Sequence, residues 1–483
     1  MNRTTVHLSL PRMLGAGLAA LLLCLAGQSA QARVVGWEGN CNPCGVGAVR
    51  TFDLTARHDF VSTADGNSHY AWGYAHGTAF PMQHPGPTLI VNQGDTVKVI
   101  LHNALPVPVS IIFPGQQAVA ATGGNPGLLT REAPAVPLAE NDPVEGPTYT
   151  FVASEPGTYL YHSGTNTDLQ VEMGLVGALI VRPTGFEHGT FAAHPNRKAY
   201  AAAETQYDRE NLFLLTEMDP AVHWLVYTQV FATPPQTPTV DTTTIRPTIW
   251  FINGRNAPDT LLEDYVYWLP TQPYNALPRM HPGERLLMRV VNAGRDLHPF
   301  HHHGNHATPI ARDGRVLSST VGGPPNLTSP DFTVRSVPGQ TMDLIFTWTG
   351  KGIGFDVYGT VAQNQHTCDT PGGYHSVKTD RNYGEWCGDH NKAIPVIVPG
   401  QLDLSFGESW GGSPYLGAVG VLPQGHPGLN TTGGYFHMWH SHNEKEVVTD
   451  DIFPGGMMTM LIIDDWSVEL PEELPEVPPE VQP

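Results

Sequence analysis

The chain has 483 residues, with 25 Lys plus Arg against 45 Asp plus Glu. The resulting net charge of −20 argues against a nucleic-acid partner, because a polyanion repels an acidic surface. Only 14% of residues are charged, while 51 glycines and 44 prolines interrupt the chain, so long helical bundles are excluded and an all-β architecture of two or three domains is expected.

In chain order, residues 1–32 read as an export signal. Arg3 and Arg12 precede an apolar run over residues 13–26, and Ala30-Gln31-Ala32 forms a small-x-small cleavage site. A periplasmic or secreted mature protein starting at Arg33 is expected. No later stretch approaches the roughly 18–20 apolar residues that span a bilayer. Cys41, Cys44, Cys368 and Cys387 remain after cleavage. An oxidising compartment makes disulfides the expectation, with all three pairings open.

Residues 88–101 (TLIVNQGDTVKVIL) read as two strands around a tight turn, and strands follow at 148–152, 157–162 and 174–181. A polar stretch from Pro183 to about Asn211 marks a boundary between a first domain, 45–185, and a second, 207–466. Gly283-Glu284 ahead of LLMRVVN repeats Gly94-Asp95 ahead of TVKVILHN, which points to two related β-sandwiches. Residues 356–433, rich in Gly, Pro, Asn and Asp, read as a loop-rich insertion, and 468–483 as a disordered Pro/Glu tail. Gly407-Glu408-Ser409-Trp410-Gly411 matches a hydrolase elbow, but the residues after it cannot start the helix that motif requires.

Chemistry concentrates in the histidines. Residues 298–306 hold five of them in nine positions, where a random placement gives about 0.4. Along a strand, side chains alternate between faces, so His301 and His303 point one way and His302 the other. His440 and His442 repeat that geometry, with His437 nearby, and His162 ends the run 157–162. Imidazoles without carboxylates suit copper, zinc, nickel or iron, and copper has the highest intrinsic affinity among the common divalent ions. Glu444 reads either as a proton donor beside His442 or as a solvent-facing acid. Met457 and Met458 read either as core packing, the favoured reading, or as an axial thioether ligand.

The ordered series HPGPTLIVNQGDTVKVILHNAL (84–105), GTYLYHSG (157–164), GLVGALIV (174–181), FING (251–254), HPFHHHG (298–304), HSHNE (440–444) and FPGGMM (453–458) resembles the multicopper oxidases. The resemblance implies two cupredoxin-like Greek-key β-sandwich domains, the second carrying the insertion, and copper as cofactor. It places His298 on a blue-copper histidine, His301, His303, His440 and His442 on trinuclear-cluster histidines, and His162 on a fifth cluster position. The chain departs from the family at Ile111, Phe113 and Gly164, where cluster imidazoles belong. It departs again at Ser441, where the blue-copper cysteine belongs, and no histidine follows near Val447. The implied protein is an exported copper oxidoreductase acting on a small molecule or metal ion with dioxygen, assembled as a homotrimer. A non-enzymatic copper-binding scaffold and a nitrite-reductase-like enzyme are the alternatives.

Overall fold

The computed structural model describes residues 34–41, 43–137, 142–186, 197–393, 416 and 434–470. The expected signal peptide, the tail beyond residue 470, the elbow motif at 407–411 and most of the insertion beyond residue 393 lie outside the described residues.

The architecture is all-β. One six-stranded sheet runs Met82–Gln83, Ser68–His76, Val49–Ser62, Thr96–Asn103, Val144–Val152, Ala120–Thr122, and faces a three-stranded sheet of Gly157–His162, Val176–Arg182 and Leu89–Asn92. Thr96–Asn103 shows why these segments are strands. Val97, Val99, Leu101 and Asn103 alternate inward while Thr96, Lys98, Ile100 and His102 are only partly buried. The turn at Gln93-Gly94 does not close a hairpin. Gly94 adopts φ +92° and carries the chain from one sheet to the other.

Two further sheets are built from residues 209–463: a six-stranded one in the order Ile249–Ile252, Arg209–Met218, Arg285–Asn292, Thr341–Thr347, Thr308–Arg312, Arg315–Val316, and a five-stranded one in the order Arg279–Met280, Met458–Ile463, Tyr435–Ser441, His298–His302, Thr333–Ser336. The sequence repeat has a physical counterpart. Asp95 accepts from the Asn92 backbone N–H and the Arg50 guanidinium, and Glu284 accepts from the His281 N–H and the Arg209 guanidinium. In each half the turn acid ties the incoming strand to an arginine on the parallel neighbour.

The sandwiches meet through Leu160, Val176 and Ile180 against Leu212, Leu214 and Val291, all buried. Beside this contact Glu210 is buried between the guanidiniums of Arg182 and Arg289. The helix Pro220–Val230, capped by Asp219 accepting from the Ala221 N–H, lays Val222, Val226 and Val230 onto the first core. Cysteine pairing is local: Cys41–Cys44 and Cys368–Cys387. Within the described part of the insertion, 356–393, there are turns and an isolated bridge between Tyr374 and Trp386 but no strand or helix.

Candidate metal centre

Antiparallel pairing of His298–His302 with Tyr435–Ser441 puts His301 directly opposite His440. The flanking N–H groups of His303 and His442 bond to Met438 and Pro299, which sets those two rings on the diagonals of the same face. Four imidazoles therefore converge. Ring centroids are 4.8 Å apart for His301–His303, 4.9 Å for His301–His442, 5.2 Å for His303–His440 and 5.4 Å for His301–His440. Ligand atoms of His301, His303 and His440 all lie within 4.8 Å of one another.

The donor set suits a metal ion. His440 Nδ1 donates to the Ser441 carbonyl at 2.7 Å, so its Nε2 carries the lone pair, and that atom faces His303 Nε2 at 3.2 Å. His301 Nδ1 is held by the Thr333 hydroxyl at 2.9 Å, while His301 Nε2 and His303 Nδ1 are buried without a hydrogen-bond partner. Burial, reinforced by the neighbouring imidazoles, pushes both His301 and His303 down to about 3, and His440 is lowered as well. The buried, unpaired Nε2 of a neutral His301 carries a desolvation cost that coordination to a cation removes. The Phe332 ring lies 5.6 Å from that of His301, and His442, about half exposed, forms the open side.

The alternation of the strands decides the other histidines. His302 lies in the second core against Phe346 and Trp439, with Nε2 near the Asp331 carbonyl. His437 is buried between Tyr435 and Trp348. Glu444 is exposed, 3.9 Å from His442, and Met457 is a core residue.

Two expected ligands are not brought to this cluster. His298 is fully buried, with Nδ1 3.0 Å from Glu446 and Nε2 3.0 Å from Glu217. Burial opposes its charge, but hydrogen bonds to the two carboxylates push it up to about 9, so it is an imidazolium with both nitrogens engaged. Ser441 donates to the same Glu446 carboxylate at 2.6 Å, and Asn443 donates to its other oxygen at 2.8 Å. Where the resemblance implies a blue-copper site, the side chains form a closed ion-pair network. His162, with Nδ1 on its neighbour's carbonyl, stands outside the group of rings and lines a cavity of about 350 Å³ between the sandwiches, with His84, Glu172, Glu217 and Arg295.

The departures in the first half have a steric basis. Ile111 and Phe113 belong to the first core, Phe113 packing on Phe151 and Tyr161. A Cβ at Gly164 would meet Ile112 at 2.7 Å, so an imidazole there has no room. Sequence reasoning missed Glu217 and Glu446, which neutralise His298, and Thr333, which orients His301. Only the i+5 spacing of Glu446 after Ser441 was available as a local signal.

Residues 64–185 match the family model for multicopper oxidases. A multicopper oxidase of Byssochlamys spectabilis is 31% identical over 140 residues, 28% of this chain and 19% of that protein. A probable nitrite reductase-hydroxylamine oxidoreductase fusion protein of Kuenenia stuttgartiensis is 38% identical over 120 residues, 24% of this chain and 13% of that protein. The chain thus matches only about a fifth or less of the length of these relatives. A solved multicopper oxidase, mgLAC, aligns at 18% identity over 87% of both chains with a TM-score of 0.48. Among the described residues no helix is long and apolar enough to cross a membrane.

Proposed function

Starting from residues 64–185 as a domain of the multicopper oxidase family, we propose that this chain is a copper-binding oxidoreductase whose metal is held by His301, His303, His440 and His442. The observation that carries the reading is the convergence of three ligand nitrogens within 4.8 Å in a setting of imidazoles alone. Bound copper would supply one-electron chemistry by alternating between Cu(II) and Cu(I). The chain's own residues do the rest. Thr333 and the Ser441 carbonyl fix the rotation of His301 and His440, Phe332 covers one side, and the exposed His442 edge admits a small molecule or metal ion and dioxygen. The proposal includes export and a homotrimer; N-terminal sequencing of the mature protein and light scattering test these two features.

Copper content after loading tests the core of the reading. Retained copper that is lost on His301→Ala with His440→Ala supports it, and a wild-type protein that holds none refutes it.

The His298–Glu217–Glu446–Ser441 network favours a second reading, a copper-binding scaffold without turnover, because Ser441, where the resemblance puts the electron-relaying thiolate, is a hydroxyl engaged by Glu446. Oxygen consumption with phenols, Cu(I) or Mn(II) as donors separates the two. Turnover abolished in the His301→Ala/His440→Ala variant supports the enzyme, and copper bound without turnover supports the scaffold. A nitrite-reductase-like activity would be revealed by nitrite consumption under a reductant and is open to the same objection about the thiolate.

A further inference from the structure

The insertion gathers a second set of ligand-bearing side chains, far from the first in composition and in setting. Asp356, His366, Glu385 and His390 bring their ligand atoms within 4.8 Å of one another. Asp356 and Glu385 are 2% and 3% exposed, so two carboxylates are buried at one point in a segment whose described residues form no strand or helix. We propose that these four residues bind a divalent transition-metal ion, zinc in the first instance, as a closed two-nitrogen, two-carboxylate site that staples the insertion.

The separations between atoms suit an ion at the centre of the four groups. His366 Nε2 lies 3.1 Å from Asp356 and 3.5 Å from Glu385, and His390 Nδ1 lies 3.4 Å from Asp356 and 2.9 Å from Glu385. A charge-assisted N–H···O bond is about 2.7–2.9 Å long, and two of the four separations, 3.4 and 3.5 Å, exceed even the 3.0 Å contacts of the His298 ion pair. A tetrahedral ion with bonds of about 2.0–2.1 Å sets its ligand atoms about 3.3 Å apart, close to the observed edges. Each ring nitrogen also faces both carboxylates at once. A single N–H cannot serve two acceptors on different sides well, whereas a central cation satisfies all four groups.

The surroundings hold the ligands in the rotation that a metal requires. His366 Nδ1 donates to the Asn364 carbonyl at 2.6 Å, which fixes the ring with Nε2 aimed at the cluster. Asp356 accepts from the backbone N–H groups of Asn391 at 2.7 Å and Tyr358 at 2.9 Å, and Glu385 accepts from Asn382 at 2.6 Å. Asn391 takes φ +61°, a left-handed conformation that asparagine tolerates, which sets its N–H toward Asp356 immediately after His390. The Cys368–Cys387 disulfide falls between the ligands in sequence, so bond and ion would close overlapping loops. Residues held by turns rather than by a strand ladder or a helix gain from such cross-links. With the imidazoles bound as neutral ligands, the two carboxylates supply the charge that a divalent ion cancels.

The test uses the full-length protein, stripped with a chelator and dialysed against Zn2+ alone or Cu2+ alone, with bound metal read by elemental analysis. In a His301→Ala/His440→Ala background, one equivalent of metal should remain, and Glu385→Gln or His366→Gln added to that background should remove it. The two dialyses tell zinc from copper, and either ion held in this pattern supports the site. No metal in the background variant, or the same metal content with and without Glu385→Gln, overturns it. Because these substitutions can unfold the insertion, Co2+ loading of the His301→Ala/His440→Ala variant supplies an independent reading: intense visible bands of a tetrahedral ion support the site, and a weak octahedral spectrum contradicts it. Failure here leaves the cluster at His301 and His440 untouched.

Discussion

Replacing Glu446 by Gln removes one of the two carboxylates that clamp His298, and its effect on stability follows from the geometry. Both contacts are 3.0 Å long and the imidazole is fully buried, so solvent screens neither. Raising His298 from 6.5 to about 9 corresponds to roughly 3 kcal/mol of folding stability. Because the folded value lies above the unfolded one, this contribution is fully present below pH 6.5, declines as the pH rises, and is gone above about pH 9. Because burial opposes the charge, the two carboxylates together outweigh this net figure, and with equal shares Glu446→Gln should forfeit at least about 1.5 kcal/mol. Urea unfolding of chelator-treated wild type and variant, at intervals from about pH 6 to 10, isolates the effect as a difference curve in which other titrating groups cancel. The stability advantage of the wild type should shrink by at least about 1.5 kcal/mol across the window. A difference curve that is flat, or that grows with pH, would refute the charged His298 clamp.

Other expectations follow from single contacts. Thr333→Val keeps the shape but removes the hydroxyl on His301 Nδ1, and copper affinity measured by chelator competition should fall about tenfold to a hundredfold. Gly304→Ala places a Cβ 2.9 Å from the His437 ring at φ +104°, so the variant should melt well below wild type, by more than about 1 kcal/mol of stability, with reduced copper retention because His303 precedes it. Glu210→Gln leaves the buried guanidiniums of Arg182 and Arg289 without their shared counter-charge and should cost about 3–5 kcal/mol in denaturant unfolding. Serine at both Cys368 and Cys387 opens a loop with a sequence separation of 19, worth about 3 kcal/mol to the insertion, which limited proteolysis should then cut near Tyr374.

The part of this molecule legible in its sequence is what depends on local alternation. A strand carrying His301 and His303 on one face, and another carrying His440, already contains the cluster; only the pairing of His301 with His440 had to be supplied by the fold. The same alternation turns His302 and Ser441 toward the core. His298 could not be read correctly because its fate depends on Glu217, 81 residues earlier, and on Glu446, 148 residues later. His162 ends the strand where the resemblance puts it, yet that strand packs against the other sandwich and lines the cavity there instead. The Asp356, His366, Glu385 and His390 set had no periodicity to betray it, since loop residues are brought together by turns, a disulfide and asparagine hydrogen bonds. A pair of histidines just outside the Cys368–Cys387 bracket was the one hint.

The most direct test of the account is the ligand shell of bound copper, read by X-ray absorption and electron paramagnetic resonance on the loaded protein. Scattering from three or four imidazoles, no sulfur shell and no intense thiolate-to-copper absorption is the predicted result. A sulfur ligand, or a copper signal unchanged when His301 and His440 are both replaced by Ala, would contradict it.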